Sequence, residues 1–235
     1  MDIYYEIKGS GFPVVCLHGN NEDHHIFDEA VKILSKQYQC LLIDARYHGK
    51  SVNSGELSYQ QMAQDVMDII TDLGIEAYDV IGFSDGAIVS LLLGMQDGRL
   101  KHVVSIGANT KPQMIKSIYR FYDYLMFICL LPFCLYNAKA RKNFKLIHLM
   151  MKEPHIEYAD LTKIKIPVLV MAGEYDMIKQ DDTLKIADSL PYSVLKIIKQ
   201  GNHFLLRDSF GQTMKEIQLF LEACHQEETY ERMYN

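Results

Sequence analysis

Short apolar runs alternate with segments of helical spacing along most of this chain. Each run has the length of one buried strand, and the segments between the runs repeat their apolar residues every three or four positions. This alternation predicts an α/β fold, with a mostly parallel sheet covered by helices on both faces. The loops that follow parallel strands meet at one edge of the sheet, so we expect a functional site at that edge. The predicted strands are residues 3–7, 13–17, 40–43, 78–83, 103–106, 167–172 and 194–198.

Two local signals refine this pattern. Gly9-Ser10-Gly11 follows the first run and predicts a short hairpin at the sheet edge. Ser58, three residues before Gln61, resembles the start of a capping box, so a helix should begin there. This helix should run through Leu73 and be stopped by Gly74.

One long segment breaks the alternation. Residues 110–160 contain no strand pattern, and aromatic and aliphatic side chains dominate the first half. We interpret this segment as a helical cap inserted between a first core segment, residues 1–109, and a second, residues 161–235. The cap should not span a membrane, because its uncharged stretch is well short of the roughly 20 residues that a crossing helix needs. Pro132 also interrupts that stretch.

Composition limits the class of protein. The chain has 235 residues, of which 49% are hydrophobic and 23% charged, so it can bury a sizeable core. Its net charge of −6 argues against nucleic-acid binding, which needs a basic surface. The first residues lack the basic start and apolar run of a signal peptide, and the five cysteines form no C-x-x-C pair. We therefore expect a cytoplasmic protein with reduced, buried thiols.

Gly82-Phe83-Ser84-Asp85-Gly86 joins a predicted strand to a predicted helix. In this context G-x-S-x-G is the pattern of a nucleophile elbow, a sharp turn that holds the serine side chain clear of the backbone. Strand and helix pass so close beside the serine that a Cβ at either flanking glycine would collide. The bare pattern also occurs in ordinary strand–helix turns. A role for Ser84 therefore requires a histidine and an acid within reach.

Two later loops supply candidate partners for Ser84. A serine nucleophile on an α/β sheet takes its partners in the chain order serine, acid, histidine. Asp176 and His203 each follow a predicted strand and a glycine, in that order. We predict His203 as the general base that takes the Ser84 proton and Asp176 as the acid that orients His203. The competing acids are Glu174, Asp181 and Asp182.

The attack by Ser84 also needs donors for the negative charge that develops on the attacked oxygen. Two main-chain N–H groups suit this role, one from the residue after the nucleophile and one from the loop after an early strand. We predict Asp85 for the first and Asn20, in the loop His18-Gly19-Asn20-Asn21, for the second. His18 should organise this loop, and the alternative is a role as a second base.

Taken together, these motifs resemble the α/β-hydrolase fold superfamily, in its order and near its spacing. The resemblance covers nearly the whole chain and fits the cap least. It implies an eight-stranded, mostly parallel sheet, a cap over the site and no cofactor; no metal site is predicted. The chain departs from the pattern at Tyr47, where these proteins often carry glycine. The motifs are His18-Gly19, Asp44-x-Arg46-x-x-Gly49-x-Ser51, Gly82-x-Ser84-x-Gly86, Gly173-x-x-Asp176 and Gly201-x-His203.

Several side chains near the site have two interpretations. The Asp85 carboxylate has one interpretation as compensation for the partial positive charge at the start of the following helix. In the other interpretation it attracts a cationic amino group of the substrate, since the chain resembles some amino-acid-ester hydrolases of this superfamily at this position. Tyr47 either belongs to a structural loop or narrows the mouth of the site. A basic stretch is either a solvated face or a surface for an anionic membrane; it comprises Lys139, Arg141, Lys142 and Lys145.

We expect substrate contacts from Asn21, Tyr47, Tyr122, Phe127 and Phe204.

The resemblance implies a serine hydrolase. We expect it to cleave a small, largely apolar carboxylic ester through an acyl-enzyme intermediate. The same three residues would also serve an amide, a thioester, an aminoacyl ester or a carbon–carbon bond beside a ketone, since specificity lies in the cap. The alternative of another class is a member of the fold that acts as a small-molecule receptor or a scaffold without catalysis. The expected partner is a small-molecule substrate. The oligomeric state stays open, because aromatic cap residues would serve either a pocket or an interface.

Overall fold

In the computed structural model, which describes residues 3–226, one sheet is flanked by helices on both faces. The strands are β1 (Tyr5–Lys8), β2 (Phe12–Leu17), β3 (Tyr38–Ile43), β4 (Tyr78–Phe83), β5 (Leu100–Ile106), β6 (Val168–Gly173) and β7 (Ser193–Ile198). The α-helices are α1 (Asp28–Leu34), α2 (Tyr59–Asp72), α3 (Asp85–Gln96), α4 (Ser117–Leu130), α5 (Ala138–Lys152), α6 (Tyr158–Leu161), α7 (Gln180–Ser189), α8 (Leu205–Asp208) and α9 (Phe210–His225). Short 3₁₀ helices cover His24–Phe27, Pro112–Met114 and Leu131–Phe133.

The strands lie in the order β1-β3-β2-β4-β5-β6-β7, and every neighbouring pair except β1–β3 is parallel. The predicted α/β class with a mostly parallel sheet is confirmed. The predicted count of eight strands is wrong for the described residues, which form seven. Each of the seven apolar runs of the sequence forms one of these strands, so no run remains for an eighth.

β1 has a different neighbour from the one predicted. It pairs antiparallel with β3, with Tyr5 opposite Ile43, and does not form a hairpin with β2. Both edges of β2 are already occupied, by β3 on one side and β4 on the other. The open edge of β3 is therefore the position that accepts β1, and the local pattern around Gly9 does not encode this choice.

The central parallel strands, such as β4 and β6, are buried because helices cover both faces of the sheet. Successive residues of a strand point to opposite faces. In β2, Val15 therefore packs in the cluster that contains α2 and α3, whereas Val14 packs in the cluster that contains α1 and α9. This burial on both faces fixes the sheet and leaves its carboxyl edge for the loops that carry the site.

α2 begins where the sequence predicts. The Ser58 hydroxyl oxygen accepts a hydrogen bond of 3.1 Å from the N–H of Gln61, as a helix cap does. The last helical residue is Asp72, one residue before the predicted end, and Gly74 follows with a φ of +65°. The stop at Gly74 is confirmed, because glycine adopts this left-handed conformation with little cost.

The helices α4 and α5, called here the cap helices, stand in the chain between β5 and β6 and pack against each other. Asp182 holds both ends of this insertion, because its carboxylate accepts hydrogen bonds from Thr110 and from the Tyr158 hydroxyl. The division at residues 110 and 160 stays a prediction, and residues 227–235 of the second core segment lie outside the described residues. None of the helices within residues 3–226 has the length and apolar character that a bilayer crossing requires.

All five cysteines are free thiols. Cys16 and Cys40 are buried in the sheet, as predicted. Cys129 is exposed, because α4 buries none of its residues. The prediction of buried thiols is therefore wrong for this cap helix.

Candidate active site

Ser84 lies at the turn between β4 and α3, with its backbone at φ +54° and ψ −115°. A Cβ on Gly82 would lie 2.2 Å from the carbonyl oxygen of Gly86, and a Cβ on Gly86 would lie 2.1 Å from that of Leu17. Only glycine fits at these two positions, so the sequence pattern has a steric cause. The turn holds Ser84 at the carboxyl edge of the sheet in a conformation that a side-chain-bearing residue rarely adopts.

His203 connects Ser84 to Asp176. Its Nε2 atom lies 3.0 Å from the Ser84 Oγ, and its Nδ1 atom lies 2.7 Å from the Asp176 Oδ1. Because the carboxylate oxygen accepts, Nδ1 carries the ring proton and Nε2 is free to accept the serine proton. The structure thus brings together the three side chains that the sequence predicts as a catalytic set.

Asp176 is a buried acid whose ionised form is favoured. Burial by itself would raise its pKa, but hydrogen bonds from His203 and from the N–H groups of Ile178 and Gly173 outweigh burial and lower the pKa. An ionised Asp176 can hold the His203 ring in place and stabilise the imidazolium that forms when the ring takes a proton.

The competing acids have other positions. Glu174 accepts the N–H of Gln200 at 2.8 Å and so ties together the loops after β6 and β7. Asp182 anchors the insertion, and Asp181 is exposed at the start of α7. The geometry therefore favours Asp176 as the partner of the histidine.

The loop after β2 lies beside the elbow and is held by His18. The Nδ1–H of His18 donates to the carbonyl oxygen of Gly19 at 2.7 Å, and Nε2 accepts the N–H of Ala45 at 3.0 Å. Both ring nitrogens are therefore occupied in the neutral form, and burial lowers the pKa of His18. The ring organises its loop, as expected, and is not placed as a second base.

The main-chain N–H groups of Asn20 and Asp85 flank the nucleophile. Within residues 3–226, neither N–H donates to a protein acceptor. Asn20 lines the cavity over Ser84, and Asp85 opens α3 directly after it. Two unpaired donors beside a serine are what an oxyanion hole requires. Their role in binding an oxyanion stays a prediction.

The side chain of Asp85 has an arrangement that neither sequence interpretation includes. Its Oδ2 accepts a hydrogen bond of 2.9 Å from the Asn20 amide, and its Oδ1 accepts one of 2.9 Å from the Tyr59 hydroxyl. Burial raises the pKa of Asp85 to about 6, although both hydrogen bonds favour the ionised form. The carboxylate is buried, each oxygen already accepts one hydrogen bond, and Asp85 does not line the cavity over Ser84. This arrangement does not favour a contact with a cationic substrate group, and that interpretation stays a prediction.

A cavity of about 330 Å³ opens above Ser84 and His203. The loop after β2 and the cap helices both line this cavity. The predicted substrate contacts Asn21, Tyr122 and Phe204 lie on this cavity. The cap helices contribute mainly apolar side chains to it, among them Met126, Leu130, Leu146, Ile147 and Met150.

The other two predicted substrate contacts, Tyr47 and Phe127, do not line this cavity. Tyr47 is buried away from the cavity, and its hydroxyl donates to the carbonyl oxygen of Gly55 at 2.9 Å. Phe127 stacks on Phe144, with ring centroids 4.2 Å apart. One residue along a helix is a rotation of about 100°, so Phe127 points to α5 while the preceding Met126 points into the cavity.

Two residues of the site have no strong sequence signal. Glu22 lines the cavity, accepts the N–H of Gly19 at 3.1 Å, and has its pKa raised to about 7 by burial. Gly107 has a φ of +71°, and a Cβ there would lie 2.9 Å from the Cε1 atom of His203. The sequence marks Glu22 only as an acid directly after the loop His18-Gly19-Asn20-Asn21. It marks Gly107 only as a glycine directly after β5.

Two clusters within residues 3–226 bring three possible metal-binding side chains together. They are Asp23 with His24 and His25, and Asp79 with His102 and His225. In the second cluster the carboxylate of Asp79 already binds both imidazoles, at 2.7 and 2.8 Å. Neither cluster includes a residue that lines the cavity over Ser84.

Comparison with known proteins gives the same fold. A family model described as the alpha/beta hydrolase fold matches residues 13–127. The chain is similar to 3-oxoadipate enol-lactonase 1 of Acinetobacter baylyi, with 34% identity over 82 residues, or 35% of this chain and 31% of that protein. It is also similar to an sn-1-specific diacylglycerol lipase of Danio rerio, with 28% identity over 123 residues, or 52% of this chain and 38% of that protein.

The matched segments thus span about a third of the length of these curated relatives. Among solved structures, an esterase from Exiguobacterium antarcticum has a TM-score of 0.79 and 19% identity, and the match covers 94% of this chain and 95% of that one. This likeness is one of fold.

Proposed function

Since this chain belongs to the α/β-hydrolase fold superfamily, we propose that it is a serine hydrolase that cleaves a small, largely apolar carboxylic ester. The proposal rests on the hydrogen-bonded chain from Asp176 through His203 to Ser84 at the floor of the cavity. A hydroxyl bonded to a neutral imidazole, whose other nitrogen is held by a carboxylate, is activated for attack on a carbonyl carbon.

Acylation is the first half of the proposed reaction. Ser84 Oγ forms a bond to the ester carbonyl carbon while its proton passes to His203 Nε2. The carbonyl oxygen becomes an oxyanion and accepts hydrogen bonds from the N–H groups of Asn20 and Asp85. The bond to the alkoxy oxygen then breaks, His203 gives its proton to that oxygen, and the alcohol leaves.

Deacylation repeats these steps with water. His203 takes a proton from a water molecule as the water oxygen bonds to the acyl carbon, and the oxyanion forms again at the same two N–H groups. The bond from the acyl carbon to Ser84 Oγ then breaks, and His203 returns the proton to the serine. The products are the carboxylic acid and the free enzyme.

The walls of the cavity support an apolar substrate. Met126, Leu146 and Ile147 offer apolar surface and no charge, which suits an acyl or alcohol group of hydrocarbon character. The similar proteins named above are described as an enol-lactonase, a diacylglycerol lipase and an esterase. These names support the choice of an ester as the first substrate class to test.

A series of p-nitrophenyl esters of increasing acyl length tests the proposal. We expect turnover of short and medium acyl chains, and a loss of about a thousandfold or more in kcat for Ser84→Ala. The matched control is Ser90→Ala, which changes a serine of α3, the helix that follows Ser84, and should keep its activity. Absence of turnover with every ester, or unchanged turnover in Ser84→Ala, would contradict the proposal.

A further inference from the structure

The outward side of α4 is apolar and exposed. One stripe of this helix, with Tyr122 and Met126, faces the cavity. A second stripe faces solvent, where Phe121 leaves 59% of its surface exposed. A helix that is apolar on all sides is normally buried, yet α4 buries none of its residues.

The exposed surface continues past the end of α4. Phe133, Leu135 and Tyr136 are 60%, 76% and 89% exposed in the turn that leads to α5. A monomeric protein rarely shows so many apolar side chains together without a partner for them. We call this surface the α4 patch; it comprises Ile118, Phe121, Leu125, Ile128, Leu131, Phe133, Leu135 and Tyr136.

The charge around the α4 patch is opposite to that of the whole protein. Residues 110–160 contain eight Lys or Arg and four acids, a net charge of +4, whereas the chain as a whole carries −6. Arg120, Lys139 and Arg141 are exposed next to the patch in sequence. The segment that exposes the most apolar surface is therefore also the segment that attracts anions.

A second copy of this chain is a poor occupant for this surface. In a two-fold dimer the same patch meets itself, so the basic side chains of the two copies would face each other. An anionic lipid surface has the complementary charge and accepts apolar side chains between its headgroups. α4 has 14 residues and is therefore about 21 Å long, which suits a helix lying along the surface.

We propose that the α4 patch docks the protein on anionic lipid bilayers, with the helix axis near the membrane plane. The exposed aromatic and aliphatic side chains enter the headgroup region, and Arg120, Lys139 and Arg141 contact the anionic headgroups. Tyr124 and Tyr136 suit this boundary, since tyrosine has an apolar ring and a polar tip.

Docking through α4 would place the cavity at the membrane. The cavity stripe and the α4 patch are two sides of one helix, so an ester that leaves the bilayer beside α4 reaches Ser84 along Tyr119 and Tyr122. The substrate class that follows is an ester with a hydrocarbon chain resident in the membrane. This step rests on the proposed function, whereas docking itself does not.

Vesicle flotation tests docking separately from catalysis. The full chain is mixed with phosphatidylcholine vesicles that either contain or lack phosphatidylserine. We expect binding to the anionic vesicles that weakens as salt rises, and little binding to the neutral ones. Ser84→Ala should bind as the unchanged protein does, so a failure of the catalytic proposal leaves this result intact.

Two double variants identify the surface. Phe133→Ser with Leu135→Ser removes apolar contacts, and Arg120→Glu with Lys139→Glu reverses charge; each should lower the vesicle partition coefficient about tenfold or more. The control is Leu219→Ser with Lys215→Glu, two exposed positions of α9, which should bind normally. Hydrolysis of soluble p-nitrophenyl acetate should be the same in all three.

Three results would overturn docking on anionic bilayers. The first is no binding to either vesicle type, and the second is equal binding to both types with no effect of salt. The third is a light-scattering result in which the unchanged protein is a dimer and the Phe133→Ser, Leu135→Ser variant is a monomer. The patch would then be an interface between two copies.

Discussion

The carboxylate of Asp85 holds the amide of Asn20 by a hydrogen bond of 2.9 Å. The residue that follows the nucleophile is thus tied to the loop that supplies the second proposed oxyanion donor. The Tyr59 hydroxyl, from α2, donates to the same carboxylate at 2.9 Å. The two proposed donors are therefore parts of one hydrogen-bonded unit, and disturbing that unit should affect the reaction more than binding.

Tyr59→Phe should lower kcat about tenfold and leave KM nearly unchanged, because the Asp85 carboxylate would lose a donor and hold Asn20 less firmly. The measurement is steady-state hydrolysis of a p-nitrophenyl ester. Tyr78→Phe is the matched control, since Tyr78 is equally buried and its hydroxyl donates to Asp97 at 3.0 Å, away from the site. Equal effects of the two variants on kcat would show that Tyr59 is only structural.

Gly107→Ala should lower kcat by about a hundredfold, because the new Cβ would displace the His203 ring from Ser84 and Asp176. Gly74→Ala is the control, since Gly74 also has a positive φ, +65°, but no atom within 4 Å of a Cβ built there. Both variants should carry a backbone strain of about 1–2 kcal/mol. Urea unfolding and ester hydrolysis together separate this shared strain from the loss of activity. An unchanged kcat in Gly107→Ala would contradict the predicted clash.

Glu22 should make the stability of the protein depend on pH. Burial raises its pKa from 4.5 to about 7 in the folded state. This group therefore contributes stability that is fully present below pH 4.5 and is lost as pH rises through about 7. Urea unfolding across this window should show wild type losing stability relative to Glu22→Gln. The exposed Glu76→Gln should follow wild type, and parallel curves for wild type and Glu22→Gln would contradict the raised pKa.

The parts of the site that come directly after strands could be predicted from the sequence. Parallel strands deliver their following loops to one edge, so Ser84, Asp176 and His203 were expected together although they are far apart in the chain. The elbow was predictable because its glycines have a steric cause, and the collisions at Gly82 and Gly86 match that cause.

The directions of individual side chains could not be predicted in this way. The Asp85 carboxylate turns to Asn20 and Tyr59, which come from two other elements whose relative position no local pattern encodes. Phe127 and Met126 are neighbours in an apolar helix, and only the position of α5 decides which of them faces the cavity. The neighbour of β1 likewise depends on which strand edge is already filled.

Labelling with a fluorophosphonate tests the central claim most directly, because this reagent reacts with a serine hydroxyl that a neighbouring base has activated. Wild type should be labelled at Ser84, as identified by peptide mass spectrometry. His203→Ala should be labelled at least about a hundredfold more slowly. The control is His155→Ala, which changes an exposed histidine that does not line the cavity and should match wild type. Failure to label Ser84, or an equal rate in His203→Ala, would contradict the account.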